Sequence, residues 1–341
     1  MNAVPLGLPL PAARLGRSKV AVSPLGLGCA SIGNLYKEIE EDTAAAAVAA
    51  AWDAGIRYYD TAPHYGLGLS ERRLGAALRD RPRGDYVLST KVGRLLEPNP
   101  EGAGRRDDQG FAVPATLRRR WDFTAEGVRR SLAESLDRMG LDRVDVVLIH
   151  DPEESGDLDV AVSQAYPALD ELRGQGVVGA IGVGSKSWET LHRFVTGTDI
   201  DVIMLAGRYT LLEQPALDAL LPDCVARDVS VLNVGVFNSG LLAVDRPHAG
   251  LTYDYTAAPA DLLARAQAIA EVCARHGVSL PAAALAFAGA HPAVASVVMG
   301  ASTPGHVARN VAQFGADPPP PELWSDLVAA GLLRPDAPVP A

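Results

Sequence analysis

The chain has 341 residues, of which 48% are hydrophobic and 21% charged, so it can bury a sizeable core as an ordinary globular protein. A net charge of −10 and an isoelectric point near 5.2 argue against a nucleic-acid-binding protein. Three widely separated cysteines, a proline-containing start unlike a signal peptide, and no apolar stretch of membrane-spanning length lead us to expect a cytoplasmic protein without a membrane partner.

Short apolar runs alternate with longer amphipathic segments along the chain. The predicted strands are 25–29, 56–60, 86–91, 144–150, 178–184, 201–207, 230–236 and 295–300. The predicted helices are 40–55, 70–80, 124–140, 165–176, 187–195, 215–228, 259–277 with 281–290, and 304–314. Eight strands, each followed by a helix, predict a (β/α)₈ barrel, and their continuous apolar character is typical of a parallel sheet buried on both faces.

Two further segments flank or interrupt this pattern. The stretch 8–24 predicts a small hairpin, turned at Gly16–Ser18, that caps the barrel floor. The region 92–122 lacks periodicity, which indicates a functional lid or a disordered loop. We interpret its basic run "TLRRRW" (116–121) as a solvated loop rather than a phosphate-binding patch. Without solenoid repeats or a linker, the sequence predicts one domain, 1–341.

A doubly wound dinucleotide-binding sheet is the competing fold. The stretch "GLGCASIG" (26–33) nearly matches the phosphate-binding fingerprint G-x-G-x-x-G, but its third glycine falls one position late. The acidic residue expected about 20 positions further on, at a second strand end, is missing. The match is therefore weak.

Ionisable residues end three consecutive predicted strands. Asp60, Lys91 and His150 occupy these ends, and Tyr65 lies in the loop after the first of them. Because the carboxyl ends of barrel strands converge on one mouth, we expect the four side chains to meet there. They are our candidate catalytic residues.

This set of residue types fits proton exchange with a carbonyl–alcohol pair. A free tyrosine has a pKa of about 10, which is too high for easy proton exchange near neutrality. A lysine ammonium in contact would stabilise the phenolate, and a carboxylate would keep a buried lysine charged. The histidine could then donate a hydrogen bond to a substrate oxygen. The set has no serine or cysteine nucleophile.

Other interpretations of these residues stay open. Taken singly, Asp60 could cap a turn, Lys91 could be an exposed stem, and His150 could belong to a turn. A metal-dependent barrel hydrolase using His64, His150, Asp60 and Asp151 is a sharper rival. It lacks the usual closely spaced histidine pair on one strand, so we predict no metal site.

Several segments resemble the aldo-keto reductases, in the right order from Gly26 to about Phe314. They are "GIRYYDTAPHYGLGLSERRLG", "STKVGR", "VDVVLIHDP" and "AIGVGS". The resemblance places that family's catalytic tetrad on Asp60, Tyr65, Lys91 and His150. The stretches "DTAPHYG", "LAGRYTLLEQ" (205–214) and "FNSGLL" (237–242) are most similar to the subgroup with D-threo-aldose 1-dehydrogenase and pyridoxal 4-dehydrogenase. The resemblance implies a nicotinamide cofactor bound across the barrel mouth without a Rossmann domain.

The resemblance also implies cofactor contacts. They fall on Ser185 for the carboxamide, on Phe237, Asn238, Ser239, Gly240 and Leu241 for the pyrophosphate, and on Gly300, Ala301, Ser302, His306 and Asn310 for the adenosine. The sequence departs from the family pattern around the nicotinamide, with Gly184 for a serine, Ala206 for a glutamine, and Val234 near an aromatic position.

The predicted cofactor is NAD rather than NADP. A 2′-phosphate needs a cationic partner, and the positions that supply one in NADP-using relatives read Gly300-Ala301-Ser302 and His306 here. We interpret Arg309 as a solvent-facing helix residue. Ser302→Arg is expected to shift the preference toward NADP⁺.

For the substrate, the resemblance implies oxidation of an aldose lactol at C1 to a lactone. Candidate sugar contacts around the mouth are Tyr36, His64, Trp121, Arg208 and Tyr209. Pyridoxal, whose hemiacetal resembles a lactol, and general aldehyde or ketone reduction remain alternatives. An alternative from another class is a cofactor-binding regulatory subunit, since some members of the family look like channel-associated subunits.

Overall fold

The computed structural model describes residues 12–254 and 256–340. The strands are β1 (Ala13–Arg14), β2 (Ala21–Val22), β3 (Leu25–Gly28), β4 (Tyr58–Asp60), β5 (Val87–Val92), β6 (Arg94–Pro98), β7 (Leu117–Trp121), β8 (Val146–His150), β9 (Ala180–Ser185), β10 (Val202–Ala206), β11 (Ser230–Val234), β12 (Thr252–Tyr253), β13 (Thr256–Ala257) and β14 (Val294–Gly300). The helices are α1 (Glu41–Asp53), α2 (Leu69–Leu78), α3 (Ala125–Met139), α4 (Leu158–Val160), α5 (Tyr166–Gly174), α6 (Trp188–Gly197), α7 (Leu220–Arg227), α8 (Ala260–Arg275), α9 (Leu280–Ala288), α10 (Pro304–Phe314) and α11 (Pro321–Ala329).

Eight parallel strands close into a barrel. Around the barrel the order is β3, β4, β5, β8, β9, β10, β11 and β14, with β14 paired back to β3. Helices separate nearly all consecutive barrel strands, so the predicted (β/α)₈ barrel is confirmed. Each of the eight predicted barrel strands overlaps an observed one. Within residues 12–254 and 256–340, no helix combines the length and apolar character that crossing a bilayer requires.

The core has two layers because strand side chains alternate between the faces of the sheet. Tyr58 points into the barrel with Val146 and Leu148, whereas Tyr59 packs outward against the helices with Val147. All five side chains are fully buried. Burial on both faces explains why these strands are almost continuously apolar in sequence.

The barrel floor is closed by the hairpin of β1 and β2, as predicted for its described part from residue 12 onward. Leu15 and Val22 are fully buried and join the inner cluster of the barrel. Gly16 turns the hairpin with a φ of 49°, and a Cβ there would lie 2.4 Å from the carbonyl oxygen of Asp201. Only glycine fits so close an approach at a positive φ. The segment 8–11 of the predicted hairpin lies outside the described residues.

The helix ends follow the capping signals. The Thr124 side chain accepts a hydrogen bond from the Gly127 N–H at 3.0 Å, at the start of α3. Gly140 ends the same helix with a φ of 65°. The predicted helix 215–228 begins later than expected, because a 3₁₀ turn at Pro215–Leu217 precedes α7. Helix α11 was not predicted, although its buried face, Leu323, Trp324 and Leu327, is visible as an amphipathic pattern.

The region 92–122 contains an antiparallel hairpin of β6 and β7, in which Arg94 opposes Trp121. The interpretation of "TLRRRW" as a solvated loop is therefore wrong. Arg118 is exposed, whereas Arg119 is buried and pairs with Asp107 at 2.6 Å. Strand alternation produces this difference between adjacent arginines, and it depends on a partner strand more than 20 residues away in the chain.

Candidate active site

A cavity of about 580 Å³ opens at the carboxyl ends of the barrel strands. Its lining includes Ala30, Leu35, Tyr36, His64, Tyr65, Lys91, Arg94, Asp108, Gln109, Gly110, Phe111, His150, Asp151, Glu154, Gly184, Ser185, Lys186, Met204, Ala206, Val234 and Gly235. Three of the four candidate catalytic residues are in this set, and Asp60 contacts one of them. A separate cleft of about 710 Å³, beside α8, contains none of the predicted site residues.

Lys91 connects the candidate acid to the candidate phenol. Its ammonium Nζ lies 2.6 Å from Asp60 Oδ2 and 3.1 Å from the Tyr65 hydroxyl, and it donates to the Thr61 carbonyl at 3.0 Å. Lys91 is only 1% exposed. Burial disfavours its charge, but Asp60 and Tyr65 outweigh that effect and raise the pKa of Lys91. The amine is therefore an ammonium at neutral pH.

Asp60 is held in place by the inner face of the barrel. The Ser89 hydroxyl donates to Asp60 Oδ1 at 2.7 Å, and the Tyr58 hydroxyl lies 2.9 Å from Ser89 Oγ. Burial, followed by the Asp60 charge, raises the pKa of Tyr58, which keeps that phenol neutral. Sequence reasoning missed both supporting residues. Their only signal in the sequence is their position, two residues before Asp60 and Lys91 on the same strands.

His150 faces Tyr65 across the cavity. The two ring centroids are 5.9 Å apart, and His64 packs against His150 at 5.5 Å. Burial, followed by the charges of Arg94 and Lys91, lowers the pKa of His150 well below its usual value. The same kinds of effect lower the pKa of His64 to about 2. Both rings are therefore neutral near pH 7.

A buried arginine, missed by sequence reasoning, joins this group. Arg94 Nη2 lies 2.6 Å from Asp151 Oδ2 and 3.0 Å from Glu154 Oε2, while Nη1 lies 3.3 Å from His64 Nδ1. The guanidinium also lies over the Trp121 ring, 4.2 Å from its centroid. Its position in the segment "STKVGR", three residues after Lys91, was the available signal.

The predicted substrate contacts divide into two groups. Tyr36 and His64 line the cavity, as expected for contacts with a ligand. The prediction is wrong for Tyr209, which is 0% exposed and packs against Phe287. Trp121 and Arg208 also lie outside the lining: Trp121 supports Arg94, and Arg208 pairs with Asp254 at 2.5 Å. Sequence position alone could not distinguish a mouth residue from a packing residue.

At the mouth, the ends of β9, β10 and β11 carry small side chains. Gly184, Ala206, Val234 and Gly235 line that part of the cavity. The three positions that depart from the family pattern are among them. Ser185 lies beside this surface, with its hydroxyl accepting from the Ser187 N–H at 2.8 Å and donating to Glu153. These small side chains line the same cavity as Tyr65 and His150, which fits a flat ring.

The predicted pyrophosphate contacts form a tight turn after β11. Asn238, Ser239 and Gly240 have φ values of 46°, 57° and 109°. The Asn238 side chain donates to Glu213 Oε1 at 3.1 Å, which fixes the turn to the loop after β10. The Leu241 side chain is fully buried, so the contact predicted at this position stays a prediction for its backbone. Phe237 is half-buried against the core.

The predicted adenosine contacts come together at the start of α10. Ser302 Oγ lies 3.2 Å from His306 Nδ1, and the Asn310 side chain donates to the Gly300 carbonyl at 3.3 Å. The Ala301 side chain is buried in the core, so the contact predicted there also stays a prediction for its backbone. Burial, followed by the nearby charges of Arg309 and Lys37, lowers the pKa of His306. Sequence reasoning did not identify Lys37.

No group of three or more histidine, cysteine, aspartate or glutamate side chains within residues 12–254 and 256–340 is arranged to hold a metal ion.

Comparisons with known proteins agree with this architecture. The Aldo/keto reductase family pattern matches residues 24–329. A D-threo-aldose 1-dehydrogenase from Pseudomonas sp. is 50% identical over 92% of this chain and 95% of its own length. A pyridoxal 4-dehydrogenase from Microbacterium luteolum is 36% identical over 94% of this chain and 97% of its own. The holo form of an aldo-keto reductase from Bacillus halodurans superposes with a TM-score of 0.72 at 27% identity, covering 95% of this chain and 97% of the other. The chain therefore belongs to the aldo/keto reductase family, whose members are oxidoreductases that use nicotinamide cofactors.

Proposed function

We propose that this protein oxidises an aldose, in its cyclic lactol form, at C1 to a lactone, with NAD⁺ as the oxidant. One observation carries the proposal: Lys91 Nζ contacts both Asp60 and the Tyr65 hydroxyl at the wall of a cavity that His150 also lines. The similarity to a D-threo-aldose 1-dehydrogenase, which is 50% identical, supports an aldose as the substrate.

Tyr65 is the proposed proton acceptor for the C1 hydroxyl. The Lys91 ammonium, 3.1 Å from the phenol oxygen, stabilises the phenolate that accepts the proton. Asp60 keeps Lys91 charged inside the barrel. The neutral His150 ring, packed against Tyr65, donates a hydrogen bond to the same substrate oxygen and orients it. When bound, the nicotinamide supplies the acceptor for the hydride that leaves C1.

The cavity wall suits a polyhydroxylated ligand. Charged or polar side chains surround the tetrad, among them Tyr36, Asp108, Gln109, Asp151 and Lys186. A sugar needs several such partners because each hydroxyl that leaves water must find a new hydrogen bond. Pyridoxal is the second candidate, because it also forms a cyclic hemiacetal and a 36% identical relative is a pyridoxal 4-dehydrogenase.

NAD is the proposed cofactor because neither side chain at the expected 2′-phosphate position carries a charge. Ser302 is neutral, and the lowered pKa of His306 keeps its imidazole uncharged near pH 7. Two positive charges, those of Arg309 and Lys37, help to lower the pKa of His306, and both residues are exposed. An exposed cation attracts a phosphate more weakly than a buried bidentate one, because water screens it.

The proposal is tested by measuring kcat/KM for L-fucose, D-arabinose and pyridoxal with NAD⁺ and NADP⁺. We expect the aldoses with NAD⁺ to give the highest values. Activity confined to aldehydes that do not cyclise would contradict the lactol mechanism. NADH binding without turnover of any of these compounds or of simple aldehydes would instead favour a regulatory subunit.

A Tyr65→Phe variant tests the proton carrier. This change removes one hydroxyl and leaves the ring packing intact, so NADH binding should persist while turnover falls by about 10³-fold or more. Tyr166→Phe is the matched control, since that hydroxyl lies on the outer surface and accepts a hydrogen bond from the Asp199 N–H. Full turnover by Tyr65→Phe would exclude this mechanism.

A further inference from the structure

We infer that Asp151 determines substrate specificity by accepting a hydrogen bond from the C2 hydroxyl of the sugar, with Arg94 as the residue that positions it. The inference rests on the proposed function and assigns a substrate contact outside the tetrad. A contact of this kind distinguishes a sugar from an aldehyde that has no hydroxyl on the carbon next to the reacting one.

Asp151 lies beside the histidine proposed to contact the reacting oxygen. Asp151 directly follows His150 at the end of β8 and lines the same cavity. Its Oδ2 lies 3.3 Å from His150 Nε2. In an aldose the C2 hydroxyl is next to the reacting C1 oxygen. A carboxylate beside the imidazole that contacts the C1 oxygen is therefore in place to reach the C2 hydroxyl.

The Asp151 carboxylate is held firmly in place. Arg94 is 5% exposed and donates to Asp151 Oδ2 at 2.6 Å. The backbone N–H of Asp151 donates to the Gly184 carbonyl at 2.9 Å, which fixes the residue to the end of β9. A polar group fixed in this way loses little conformational entropy when a ligand binds, so it can discriminate between ligands.

The Asp151 carboxylate can accept further hydrogen bonds. Among the described residues, Asp151 Oδ2 receives the contacts from Arg94 and His150, and Oδ1 accepts no hydrogen bond. A carboxylate has room for about four such bonds. A charged acceptor with free lone pairs at a cavity wall gains most from a ligand hydroxyl.

The backbone at Asp151 is also unusual, with a φ of 41°. Few residue types other than glycine tolerate this left-handed region, and aspartate and asparagine are the most common among them. Such conformations concentrate at functional sites, where the surrounding structure enforces them. The geometry also provides the variant to test, because Asp151→Asn removes the charge and keeps the backbone preference.

The test compares kcat/KM for L-fucose and 2-deoxy-L-fucose in three proteins. The wild type should prefer L-fucose by about 10- to 100-fold, the range expected for a hydrogen bond to a charged group. In Asp151→Asn this ratio should fall at least fivefold. Asp142→Asn, the same substitution at an 83% exposed side chain, should leave the ratio unchanged.

The ratio distinguishes specificity from structure. If Asp151→Asn only displaces His150, both sugars lose activity equally and the ratio stays constant, which would overturn the inference. A wild type that oxidises both sugars equally well would also overturn it and leave the proposed function intact. If neither sugar is oxidised while other substrates are, the proposed function and the inference fail together. If Asp151→Asn does not fold, the wild-type ratio and the Arg94→Lys variant test the inference instead. Arg94→Lys keeps a cation near Asp151 but loses the planar guanidinium. An unchanged substrate ratio in Arg94→Lys would contradict the positioning role of Arg94.

Discussion

The floor and the mouth of the barrel are built on the same strands, yet they differ completely in chemistry. Along β4, β5 and β8, side chains two residues apart share the inner face, and there Tyr58 is followed by Asp60, Ser89 by Lys91, and Leu148 by His150. A single step of two residues takes each strand from a side chain that stays uncharged to a candidate catalytic residue.

The difference shows that the floor mainly stabilises the barrel, whereas the mouth carries its reactive groups. At the floor, apolar side chains and the plugging hairpin exclude water, so the interior there contributes hydrophobic stabilisation. At the mouth, each buried charge needs a partner, and the cost of burying it is repaid only by exact pairing with neighbours such as Asp60 with Lys91. A substitution at the floor should therefore lower stability alone, whereas one at the mouth should lower turnover as well.

The largest effect is expected from Lys91→Met, which leaves Asp60 buried without its counter-ion. We expect a loss of about 3–5 kcal/mol in the free energy of unfolding and near-complete loss of turnover. Urea unfolding and kcat/KM measurements check both. The double variant Asp60→Asn with Lys91→Met should be more stable than the single variant, because no unpaired charge remains. If it is not, the pair does not behave as a buried ion pair.

At the floor, Leu15→Ala should lower stability and leave the chemistry unaffected. Truncating this fully buried side chain costs about 2–5 kcal/mol in the free energy of unfolding. In the folded variant, kcat should remain within about twofold of the wild type, because Leu15 packs at the barrel floor, at the other end of the strands from the tetrad. A selective fall in kcat at unchanged stability would show that the two ends are coupled.

The start of α10 is the uncharged part of the rim, and adding a cation there should change the cofactor preference. Ser302 is 6% exposed, so the half-buried His306 is a better place for a new arginine than Ser302 itself. His306→Arg should shift the NADP⁺ to NAD⁺ ratio of kcat/KM by about 1–3 kcal/mol toward NADP⁺. Wild-type preference for NADP⁺ would contradict our proposal, and Arg309→Ala and Lys37→Ala would then identify the responsible cation.

The smallest effect concerns pH. The pKa of His64 is lowered to about 2 by burial, followed by the charges of Arg94 and Arg119, so the folded protein keeps this ring neutral while the unfolded chain protonates near pH 6.5. The unfolded state binds more protons, and stability is therefore lost as pH falls below about 6.5. Between pH 7.5 and 5.5, His64→Gln should lose about 1 kcal/mol less stability than the wild type. Equal losses in the two proteins would show that His64 protonates in the folded state.

Much of the architecture could be predicted from the sequence. Burial on both faces makes barrel strands apolar throughout, and all eight were found within a few residues. The resemblance to the family further identified three side chains at strand ends and a tyrosine in the loop after one of them, and the structure brings the four together. By contrast, β6 and β7 were missed. This two-stranded hairpin has one exposed face, and its pairing depends on residues far apart in the chain.

The local pattern of the sequence determined the barrel and the positions of Asp60, Tyr65, Lys91 and His150, since strand ends follow from periodicity and parallel strands share one mouth. Only the tertiary structure decided which other side chains reach that mouth. Arg94 and Asp151 are 57 residues apart, and their contact exists only because β6 folds over the end of β8. Tyr209 shows the reverse, because a loop position that looks accessible in sequence is buried when α9 packs against it. Periodicity is a property of neighbours in the chain, whereas accessibility is a property of neighbours in space.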